Sequence, residues 1–517
     1  MRPLSPRLLD QLQLESAASD EAGALRNLLP PEPEWWSQVT NFPTVLSKVT
    51  HSRLGSGMVV HPVAEVSARK SRHGLRPLPL IGLPERVAYG ALTKLVTQDI
   101  PPLRRSPEDW LQFSLAPVKH GESLVPEPEF TSGKIDFGTL LPWSSPIKYV
   151  LKSDVVAFYR HVDHELLHEQ LIILGADYEA AQHLIEFLGE LQGRPVGLPQ
   201  LHASSDVLSE IYIDAVEREM LRRGHEVWRF NDDFRVTARG YMDALRGLED
   251  LDACLRRASL TLNEAKTTIP SFSTYYMEVM GLAVGETGVV LARQEVEDVV
   301  GDYTDDFTQD ADAAARLIER VTEWPGDDDN AIDLRGAGPA EVRLLRRALA
   351  GLARARDDRA LEKVPILVRY LAELTPAALK YVLRLSRARV AKTRLAAVLD
   401  ELADKTATND WQKMWIVHAY SGARILDLKR NRESRVKWLQ NCAMHWSDAP
   451  LRAYAIWALA ASGEISMENL LKAQHSAPEC LHVYYAEAAR ELGTPANRSQ
   501  RQKAFAHDPL LRTLAGA

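Results

Sequence analysis

The sequence is poor in cysteine and has no long apolar run. Its 517 residues include three cysteines, Cys254, Cys442 and Cys480, which are odd in number and far apart. Such a set supports neither a disulfide framework nor a cysteine-rich zinc site, and it is typical of a reducing compartment. No apolar run approaches the roughly 18 residues that a membrane span requires. The sequence therefore predicts a cytoplasmic protein with no membrane partner.

Aromatic residues are also few, at 7% of the chain, beside 45% hydrophobic and 26% charged residues. This composition is that of a globular protein, and it excludes collagen-like, coiled-coil and wholly disordered chains. The length allows about three domains. The first residues lack the apolar core and the small-residue cleavage site of a signal peptide, so we expect no secretion signal.

Charge is distributed unevenly along a chain whose net charge is −8. Residues 48–105 contain ten Lys/Arg against three Asp/Glu, and residues 340–517 contain 29 against 18. Residues 295–333 contain fourteen acids and two Arg, including Asp327–Asp329 after Pro325 and Gly326. Basic regions are typical of proteins that bind polyanions, although solvated helix faces give the same pattern. The acidic stretch predicts a connector between domains.

Helix and strand signals alternate between about residues 56 and 285. Mixed elements in this order indicate an α+β fold, with a strand, a tight turn and a second strand near its centre. The predicted elements are a hairpin-like region over 56–82, helices over 84–98, 163–174, 177–191, 203–223 and 240–257, and strands over 148–155, 227–230 and 234–237.

The character of the chain changes after about residue 340, where helical periodicity prevails and strand signals almost vanish. The predicted helices come in pairs with short polar joints, and no strict sequence period is visible. Paired helices of this size are typical of an irregular α-solenoid or a helical bundle. They are predicted near residues 341–354, 361–373, 377–386, 389–403, 410–420, 431–445, 449–461, 466–474 and 481–491.

Three carboxylates occupy positions that the predicted fold would bring together. Asp154 ends a predicted strand, and Asp232 and Asp233 occupy the turn between two apolar strands. A lone Asp-Asp pair is usually a solvated turn, but carboxylates that converge from adjacent strands are ligands for hard divalent cations. Two such ions can activate an attacking hydroxyl and stabilise a leaving pyrophosphate. The sequence therefore predicts a metal-dependent phosphoryl-transfer site.

The motifs around these carboxylates, taken in order, resemble the palm of reverse transcriptases. Ser153–Tyr159 resembles the first catalytic motif, and Phe230–Asp233 resembles the aromatic-x-Asp-Asp catalytic turn. Gly197–Gln200, followed by two serines, resembles the motif that positions template and nucleotide. Leu260–Thr267 resembles the Leu-x-Leu-Asn-x-x-Lys-Thr motif. With an upstream fingers motif, the resemblance extends over about residues 65–285, and the order of five motifs makes it specific.

The resemblance implies roles for the matched palm residues. Asp154, Asp232 and Asp233 would be catalytic, and together with Val155 they would form the metal set for Mg²⁺ or Mn²⁺. The aromatic ring of Tyr159 would lie under the sugar 2′ position as a steric gate that favours deoxynucleotides. Two further palm residues would bind the nucleotide: Gln200 near the nascent base pair and Lys266 near the leaving phosphates.

The fingers motif comprises Lys70, Gly74, Arg76-Pro77-Leu78 and Arg86. The resemblance implies that Lys70 and Arg76 pair with the incoming triphosphate. Arg72 and Arg86 are further candidates for nucleic-acid contacts, although a generic basic loop would have the same composition. In the C-terminal region the basic cluster of Lys429, Arg430 and Arg432, with Arg435 and Lys437, is another candidate nucleic-acid contact, whereas the tryptophans there are more often core residues.

Leu201 departs from the family pattern, in which Gly usually follows the Pro-Gln pair. Gly permits positive φ and close approach of the backbone to a ligand. Leu201 therefore predicts a template contact different from the usual one in the family. The segment 197–213 and the helical C-terminal region resemble the bacterial abortive-infection and defence-associated reverse transcriptases. In that group some members synthesise DNA without a copied template, primed on protein, and others use a non-coding RNA. This resemblance implies dNTP substrates, RNA or DNA partners, a homo-oligomer and antiphage defence.

Two hypotheses of other classes remain beside the polymerase. His164-Glu165-Leu166-Leu167-His168 fits the zinc-protease pattern His-Glu-x-x-His, but no third ligand follows at a short fixed spacing, and two surface histidines flanking inward leucines would give the same pattern. A catalytically idle nucleic-acid scaffold would have no need of three crowded carboxylates. Within the polymerase hypothesis, a templated RNA-directed enzyme with a partner non-coding RNA is the alternative to template-independent, protein-primed synthesis.

The sequence thus predicts an α+β fold with right-hand-like reverse transcriptase fingers and palm, followed by an all-α helical-repeat C-terminal domain. The expected regions are 1–145 for the N-terminal region and fingers, 146–285 for the palm, 286–339 for a thumb-like region with the acidic connector, and 340–517 for the helical repeats. The expected function is metal-dependent polymerisation of dNTPs in antiphage defence.

Overall fold

The fold is given by a computed structural model of the chain. It describes residues 1–24, 26–33, 39–70, 74–103, 110–125, 144–279, 311–322, 339–388, 390–407, 409–444 and 446–516. The chain divides into two compact units, one formed by Met1–Ala91 with Gly301–Ala517 and the other by Leu92–Val300. The second of these is called the palm unit below. The acidic stretch at Asp327–Asp329 lies outside the described residues, and the predicted four-region division stays a prediction.

The palm unit is built from a three-stranded sheet and the helices around it. The strands are β3 (Tyr149–Ser153), β4 (Glu226–Phe230) and β5 (Asp233–Ala238). The helices are α5 (Trp110–Ser123), α6 (Phe158–His161), α7 (His164–Ile173), α8 (Tyr178–Gln192), α9 (Ala203–Arg222), α10 (Tyr241–Arg257) and α11 (Phe272–Val279). These bounds agree with the predicted helices and strands to within a few residues, and α5, α6 and α11 were not predicted.

The sheet has the order β3-β5-β4, and both pairs of neighbours are antiparallel. Phe230 pairs with Asp233, so that Asn231 and Asp232 alone form the turn of the β4–β5 hairpin. Ser153 at the end of β3 pairs with Phe234, the second residue of β5. This register places the end of β3 beside the hairpin turn, and it follows from the apolar residues of the central strand β5, which are buried from Phe234 onward.

Helices cover the sheet because their apolar faces match it. α9 packs on β4, and α10 packs on β5 and β3. The buried face of α9 includes Leu208, Tyr212 and Val216, whose spacing of four residues places them on one side of the helix. At the start of α7, the carboxylate of Asp163 accepts hydrogen bonds from two backbone N–H groups of the first turn, at 2.9 and 3.1 Å.

The other unit is mostly helical and contains one hairpin. Strands β1 (Ala64–Arg69) and β2 (Leu75–Leu80) pair antiparallel, which confirms the predicted hairpin. The N-terminal helices are α1 (Pro6–Gln11), α2 (Leu14–Gly23) and α3 (Phe42–Ser56), and α4 (Leu83–Thr97) contains the boundary between the two units. The C-terminal helices are α12 (Ala311–Thr322), α13 (Pro339–Ala355), α14 (Val364–Tyr370), α15 (Thr375–Ser386), α16 (Lys392–Glu401), α17 (Asp410–Gly422), α18 (Arg432–Cys442), α19 (Ala449–Ala461), α20 (Met467–His475), α21 (His482–Glu491), α22 (Arg498–Ala504) and α23 (Pro509–Leu514).

The C-terminal helices stack in a regular way. Alternate helices form a stack, in which each helix packs on the following member of the series α13, α15, α17, α19, α21 and α23. This is the packing of a helical-repeat domain, as predicted from the paired helices. Trp411 and Trp415 of α17 are fully buried, which confirms their interpretation as core residues. Trp446 is 67% exposed, so the same interpretation was wrong for Trp446.

The N-terminal segment belongs to this helical unit through backbone contacts. The indole N–H groups of Trp411 and Trp415 donate to the carbonyl oxygen of Leu28, at 2.6 and 3.1 Å. The hydroxyl of Tyr454 donates to the carbonyl of Pro30 at 3.1 Å. Aromatic donors thus satisfy carbonyls of a segment without regular structure. Among the described helices, none has the length and apolarity that would let it cross a membrane.

Candidate active site

Three carboxylates meet at one end of the palm sheet. Asp154 follows β3, Asp232 lies in the β4–β5 turn, and Asp233 begins β5. One carboxylate oxygen of each lies within 4.8 Å of the others. Asp154 is 5% exposed, and the other two are half-buried. In the part of the chain that the structure describes, this carboxylate cluster is the only group of three or more potential metal ligands.

The hairpin turn that carries Asp232 and Asp233 is held from both sides. Asn231 adopts a left-handed conformation with φ of 52°, which asparagine tolerates better than most residues. The preceding Phe230 packs on Trp110 and Phe113 of α5, with ring centroids 5.4 and 5.8 Å away. The aromatic position of the turn motif is therefore a packing anchor that fixes the hairpin against α5.

The segment that follows α10 completes the site from the other edge of β3. Asn263 donates from its amide to Asp154 Oδ2 at 2.9 Å, and its backbone N–H donates to the carbonyl of Asp154 at 2.8 Å. Lys266 places its Nζ 2.9 Å from the same Oδ2. The Leu-x-Leu-Asn-x-x-Lys-Thr motif thus brings one amide and one ammonium to Asp154. The predicted role of Lys266 near the leaving phosphates stays a prediction.

Burial and mutual repulsion shift the titration of the cluster. Burial, with the negative charges of Asp154 and Asp233, raises the pKa of Asp232 to about 7. Burial raises the pKa of Asp233 to about 6, although the nearby Arg235 opposes the shift. The pKa of Lys266 is also raised, because its hydrogen bond to Asp154 and the negative charges outweigh the effect of its burial. The protein alone therefore leaves the cluster short of positive charge.

This shortage is what a divalent cation would remedy. Three carboxylates that converge from strand ends are hard oxygen ligands, and Mg²⁺ is held by a few carboxylates together with substrate phosphates. The residues present thus fit a divalent metal site formed by Asp154, Asp232 and Asp233. Val155 has a buried apolar side chain, so that only its backbone carbonyl could serve as the ligand predicted there.

Tyr159 lies on the short helix α6, five residues after Asp154. Its hydroxyl donates to Asp206 Oδ1 at 2.7 Å. Burial raises the pKa of Tyr159 well above its ordinary value, with the charge of Asp206 adding to the effect, so the phenol stays protonated. Phe158 beside it is 2% exposed and is a core residue.

Gln200 and Leu201 lie in the turn before α9. Gln200 is half-buried, and its predicted position by the nascent base pair stays a prediction. Leu201 has a φ of 65°, in the left-handed region that glycine would adopt without strain. Leucine at this position therefore adds a side chain, while the backbone has a positive φ that glycine would also permit.

The predicted fingers residues belong to the other unit. Lys70 closes the β1–β2 hairpin through its backbone N–H, which donates to the carbonyl of Gly74 at 2.8 Å, and Arg76 lies on β2. Arg86 is 5% exposed and forms ion pairs with Glu21 and Glu32, at 2.7 and 2.9 Å. Its geometry is that of a buried structural ion pair. Arg72 lies outside the described residues.

The basic cluster of the C-terminal region lies before and at the start of α18. Lys429 and Arg430 are exposed. Arg432 is half-buried and pairs with Glu464 at 2.8 Å, which partly neutralises it. Arg435 is 4% exposed and pairs with Asp400 at 2.7 Å, so the expectation that it faces nucleic acid was wrong. The contact of the other members of the cluster with nucleic acid stays a prediction.

The histidines of the His-Glu-x-x-His pattern lie on α7. His164 is 2% exposed, so the expectation that both are surface residues was wrong for His164. Its ring Nε2 lies 2.8 Å from the carbonyl of Gly197, and burial lowers its pKa. His168 packs on Tyr178, with ring centroids 5.4 Å apart. His164 thus ties α7 to the Gly197 segment, and nothing in the described residues adds a third ligand.

Sequence reasoning did not find two polar residues that support the site. Arg229 of β4 is buried, and its guanidinium donates to the carbonyl of Asn231 in the catalytic turn at 3.0 Å. Asp206 of α9 accepts the hydroxyl of Tyr159. Arg229 directly precedes the aromatic residue of the turn motif, which was a usable signal, whereas Asp206 is 47 residues from Tyr159 and left no pattern in the sequence.

Comparison with known families agrees with this geometry. The family described as reverse transcriptase (RNA-dependent DNA polymerase) matches residues 126–291, about a third of the chain. The chain contains a reverse transcriptase domain. This confirms the family resemblance of the palm motifs and makes the domain an RNA-directed DNA polymerase domain. All three residues of the carboxylate cluster lie within the match.

Solved structures with similarity to the chain include telomerases. The apo telomerase of Candida tropicalis shares 10% identity, with 74% of this chain and 68% of that chain covered and a TM-score of 0.33. A telomerase of Candida albicans in complex with a fragment of telomeric RNA shares 10%, over 76% and 65% of the two chains, with a TM-score of 0.30. Likeness at this level does not assign an activity. Among curated proteins no sequence matches this chain.

Proposed function

We propose that this chain is a metal-dependent RNA-directed DNA polymerase that adds deoxynucleotides from dNTPs to a hydroxyl group. The observation that carries the proposal is the carboxylate cluster, in which oxygens of Asp154, Asp232 and Asp233 lie within 4.8 Å of one another. It stands at the strand ends of a domain that matches the reverse transcriptase family. Nucleotide transfer requires positioning and charge stabilisation from a protein, and the cluster supplies both.

The residues of the chain divide the work of this reaction. Asp154, Asp232 and Asp233 would hold Mg²⁺ or Mn²⁺, which supplies positive charge to the attacking hydroxyl and to the phosphates when bound. Asn263 orients the carboxylate of Asp154 through its amide. Lys266, whose side chain is 64% exposed, keeps an ammonium at the open side of the cluster, where it can pair with phosphate oxygens.

Selection of the sugar falls to Tyr159 in this proposal. Its ring would lie under the 2′ position and exclude a ribose hydroxyl by contact. The left-handed backbone of Leu201 supports a templated reaction, because its positive φ is a conformation that glycine at this position would permit. We therefore favour an RNA template over synthesis without one. The homo-oligomer and the cytoplasmic location stay predictions.

Antiphage defence and protein-primed synthesis form a second candidate. Two features support it. Segment 197–213 resembles the defence-associated reverse transcriptases in sequence, and the C-terminal helices form a helical-repeat stack. The test is phage plating on bacteria that express the wild-type chain or the Asp232→Ala/Asp233→Ala variant. Protection that requires both carboxylates would support defence, and equal plating on both strains and on an empty control would refute it.

Nucleotide incorporation tests the polymerase directly. Purified protein receives labelled dNTPs and Mg²⁺, with and without an RNA template carrying a DNA primer. We expect template-dependent product from the wild type and a loss of at least about 10³-fold in the Asp154→Asn variant, because the metal site supplies several kcal/mol of transition-state stabilisation. The matched control is Asp243→Asn, an exposed aspartate in the first turn of α10, which should retain activity.

The other outcomes of this assay discriminate between the candidates. Product that forms without template and stays attached to protein after nuclease treatment would favour protein-primed synthesis. Equal incorporation by the wild type and the Asp154→Asn variant would refute the assignment of the carboxylate cluster. Incorporation that requires stoichiometric zinc and is lost on changing His164 and His168 would do the same.

A further inference from the structure

The main chain around Tyr159 is fixed by hydrogen bonds to the segment that precedes α9. The backbone N–H of Leu198 donates to the carbonyl of Tyr159 at 2.7 Å, and that of Gly197 donates to the carbonyl of Val162 at 2.8 Å. The turn into α6 begins at Ala157, which has a φ of 47°. The position of the Tyr159 Cα is thus determined by backbone contacts on both sides.

The freedom that remains to Tyr159 is rotation of its side chain. One face of the ring meets Phe158, with centroids 5.6 Å apart in an edge-on arrangement. At the far end, the hydroxyl donates to Asp206 Oδ1 at 2.7 Å. Ser209 Oγ lies 3.5 Å from the same phenol oxygen, and it donates to the carbonyl of Asp206 at 2.9 Å. A ring held at both ends cannot leave its rotamer without breaking the bond to Asp206.

Asp206 is well placed for this purpose and has no evident role in packing. It lies in the first turn of α9, where it is exposed, and the neighbouring buried residues Ser205 and Leu208 form the contact of the helix with the core. Asp206 is exposed and Tyr159 is half-buried, and one hydrogen bond of this kind contributes only about 1 kcal/mol. The bond between Asp206 and Tyr159 therefore constrains one side chain at the edge of the active site more than it stabilises the fold.

We infer that Asp206 is a specificity-determining residue, which holds the ring of Tyr159 in place so that the ring excludes nucleotides with a 2′-hydroxyl. The inference rests on the proposed polymerase function. A steric gate discriminates only as far as it resists displacement, because a ring that can rotate yields to the additional hydroxyl. Asp206 is thus a positioning residue that acts on the sugar through Tyr159.

The test measures the ratio of dNTP to rNTP incorporation, which does not depend on the fraction of active protein. Asp206→Leu, which cannot accept the hydrogen bond, should lower the ratio about tenfold, the effect expected for loss of one hydrogen bond. Asp206→Asn keeps an acceptor oxygen of the same shape and should restore most of the ratio. Tyr159→Phe should lower the ratio as Asp206→Leu does, and the double variant should lower it no further.

The control for a general effect of losing an acid from a helix start is Asp243→Leu in the first turn of α10. It should leave the ratio at the wild-type value. A ratio in Asp206→Leu equal to the wild-type ratio would overturn the inference, and so would an additive loss in the double variant.

Nucleotide binding distinguishes failure of this inference from failure of the proposed function. Calorimetric titration of dCTP and of CTP in the presence of Mg²⁺ gives the ratio of the affinities for the two nucleotides, and it requires no turnover. If the wild type binds dCTP more tightly than CTP and this difference in affinity is smaller in Asp206→Leu, the gate is supported even where no template has given polymerisation. Equal affinity of the wild type for the two nucleotides, or no binding of either, would overturn the gate; preferential binding that Asp206→Leu leaves unchanged would overturn only the role of Asp206.

Discussion

Two groups of charged side chains in the described part of the palm unit are built in opposite ways. In the carboxylate cluster, like charges face one another at the end of the sheet. In the second group, here named the arginine cluster, Arg229 is enclosed by Glu210 and Glu217. Its guanidinium makes a two-pronged contact with Glu210 at 3.1 and 2.9 Å and a further one with Glu217 at 3.2 Å.

The titration of the two clusters follows from this difference. Repulsion and burial raise the pKa of Asp232 to about 7, so the charged form is disfavoured. Burial alone would lower the pKa of Arg229, but Glu210 and Glu217 more than offset it and raise the pKa, so the charged form is favoured. A cluster that satisfies itself serves the fold, whereas one that does not is typical of a functional site. Arg229 also connects the two, through the carbonyl of Asn231.

The largest expected effect comes from breaking the arginine cluster. Arg229→Met removes the guanidinium that pairs with the buried Glu217 and the half-buried Glu210, and it should reduce the free energy of unfolding by about 3–5 kcal/mol. The measurement is denaturant unfolding at pH 8. Arg246→Met, at an exposed surface pair, is the matched control and should change stability by less than about 0.5 kcal/mol. Similar losses in the two variants would show that the arginine cluster carries no special structural role.

The carboxylate cluster should respond in the opposite direction. Between pH 4 and 7 the folded protein retains a proton on Asp232 that the unfolded chain has released, so rising pH destabilises the fold through this window. Asp232→Asn removes the penalty and should stabilise the metal-free protein by up to about 4 kcal/mol at pH 8, while abolishing activity. The gain should vanish toward pH 4. Destabilisation at pH 8 would contradict the proposed repulsion.

Divalent cations should remove the same penalty in the wild type. At a Mg²⁺ concentration ten times its dissociation constant, the fold should gain about 1.4 kcal/mol at pH 8. The gain should shrink at pH 5, since protonated carboxylates bind metal poorly. Thermal unfolding with Mg²⁺ or with EDTA measures both values. Stabilisation that is equal at the two pH values, or that persists in Asp232→Asn, would place the ion elsewhere.

The smallest effect concerns Lys266, which partly compensates the carboxylate cluster. Lys266→Met should lower the stability of the metal-free protein at pH 8 by no more than about 1 kcal/mol, because the ammonium is largely exposed. Lys472→Met removes a comparably exposed lysine from an ordinary ion pair with Glu468 and serves as the control. If Lys266→Met and Lys472→Met lose the same amount of stability, Lys266 does not offset the negative charge of the carboxylate cluster.

Local sequence patterns were sufficient to predict most elements of the palm and their order. The apolar spacing of α9, the strand–turn–strand around Asp232 and the paired C-terminal helices follow from residue periodicity, and all three are present in the structure. The convergence of Asp154 with Asp232 and Asp233 was predictable because each lies at a strand end in a motif of known order. α5, α6 and α11 were not predicted, although Trp110 and Phe113 of α5 hold the catalytic turn.

Partners that are distant in sequence could not be predicted. The contact of Tyr159 with Asp206, and those of Trp411 and Trp415 with the carbonyl of Leu28, depend on tertiary packing and have no periodic signal. The burial of Arg86 in an ion pair shows the same limit, since a basic residue in a basic segment was predicted to face nucleic acid. Composition indicates which charges are present, and only the fold determines how they are paired.

Anomalous scattering from crystals grown with Mn²⁺ and a non-hydrolysable dNTP analogue tests the central claim most directly. The account predicts a manganese peak bounded by the carboxylates of Asp154, Asp232 and Asp233, and no peak at Arg229, Glu210 and Glu217. A peak at His164 and His168 instead would contradict the account. The same would follow from the absence of manganese at the carboxylates at a concentration that supports full nucleotide incorporation.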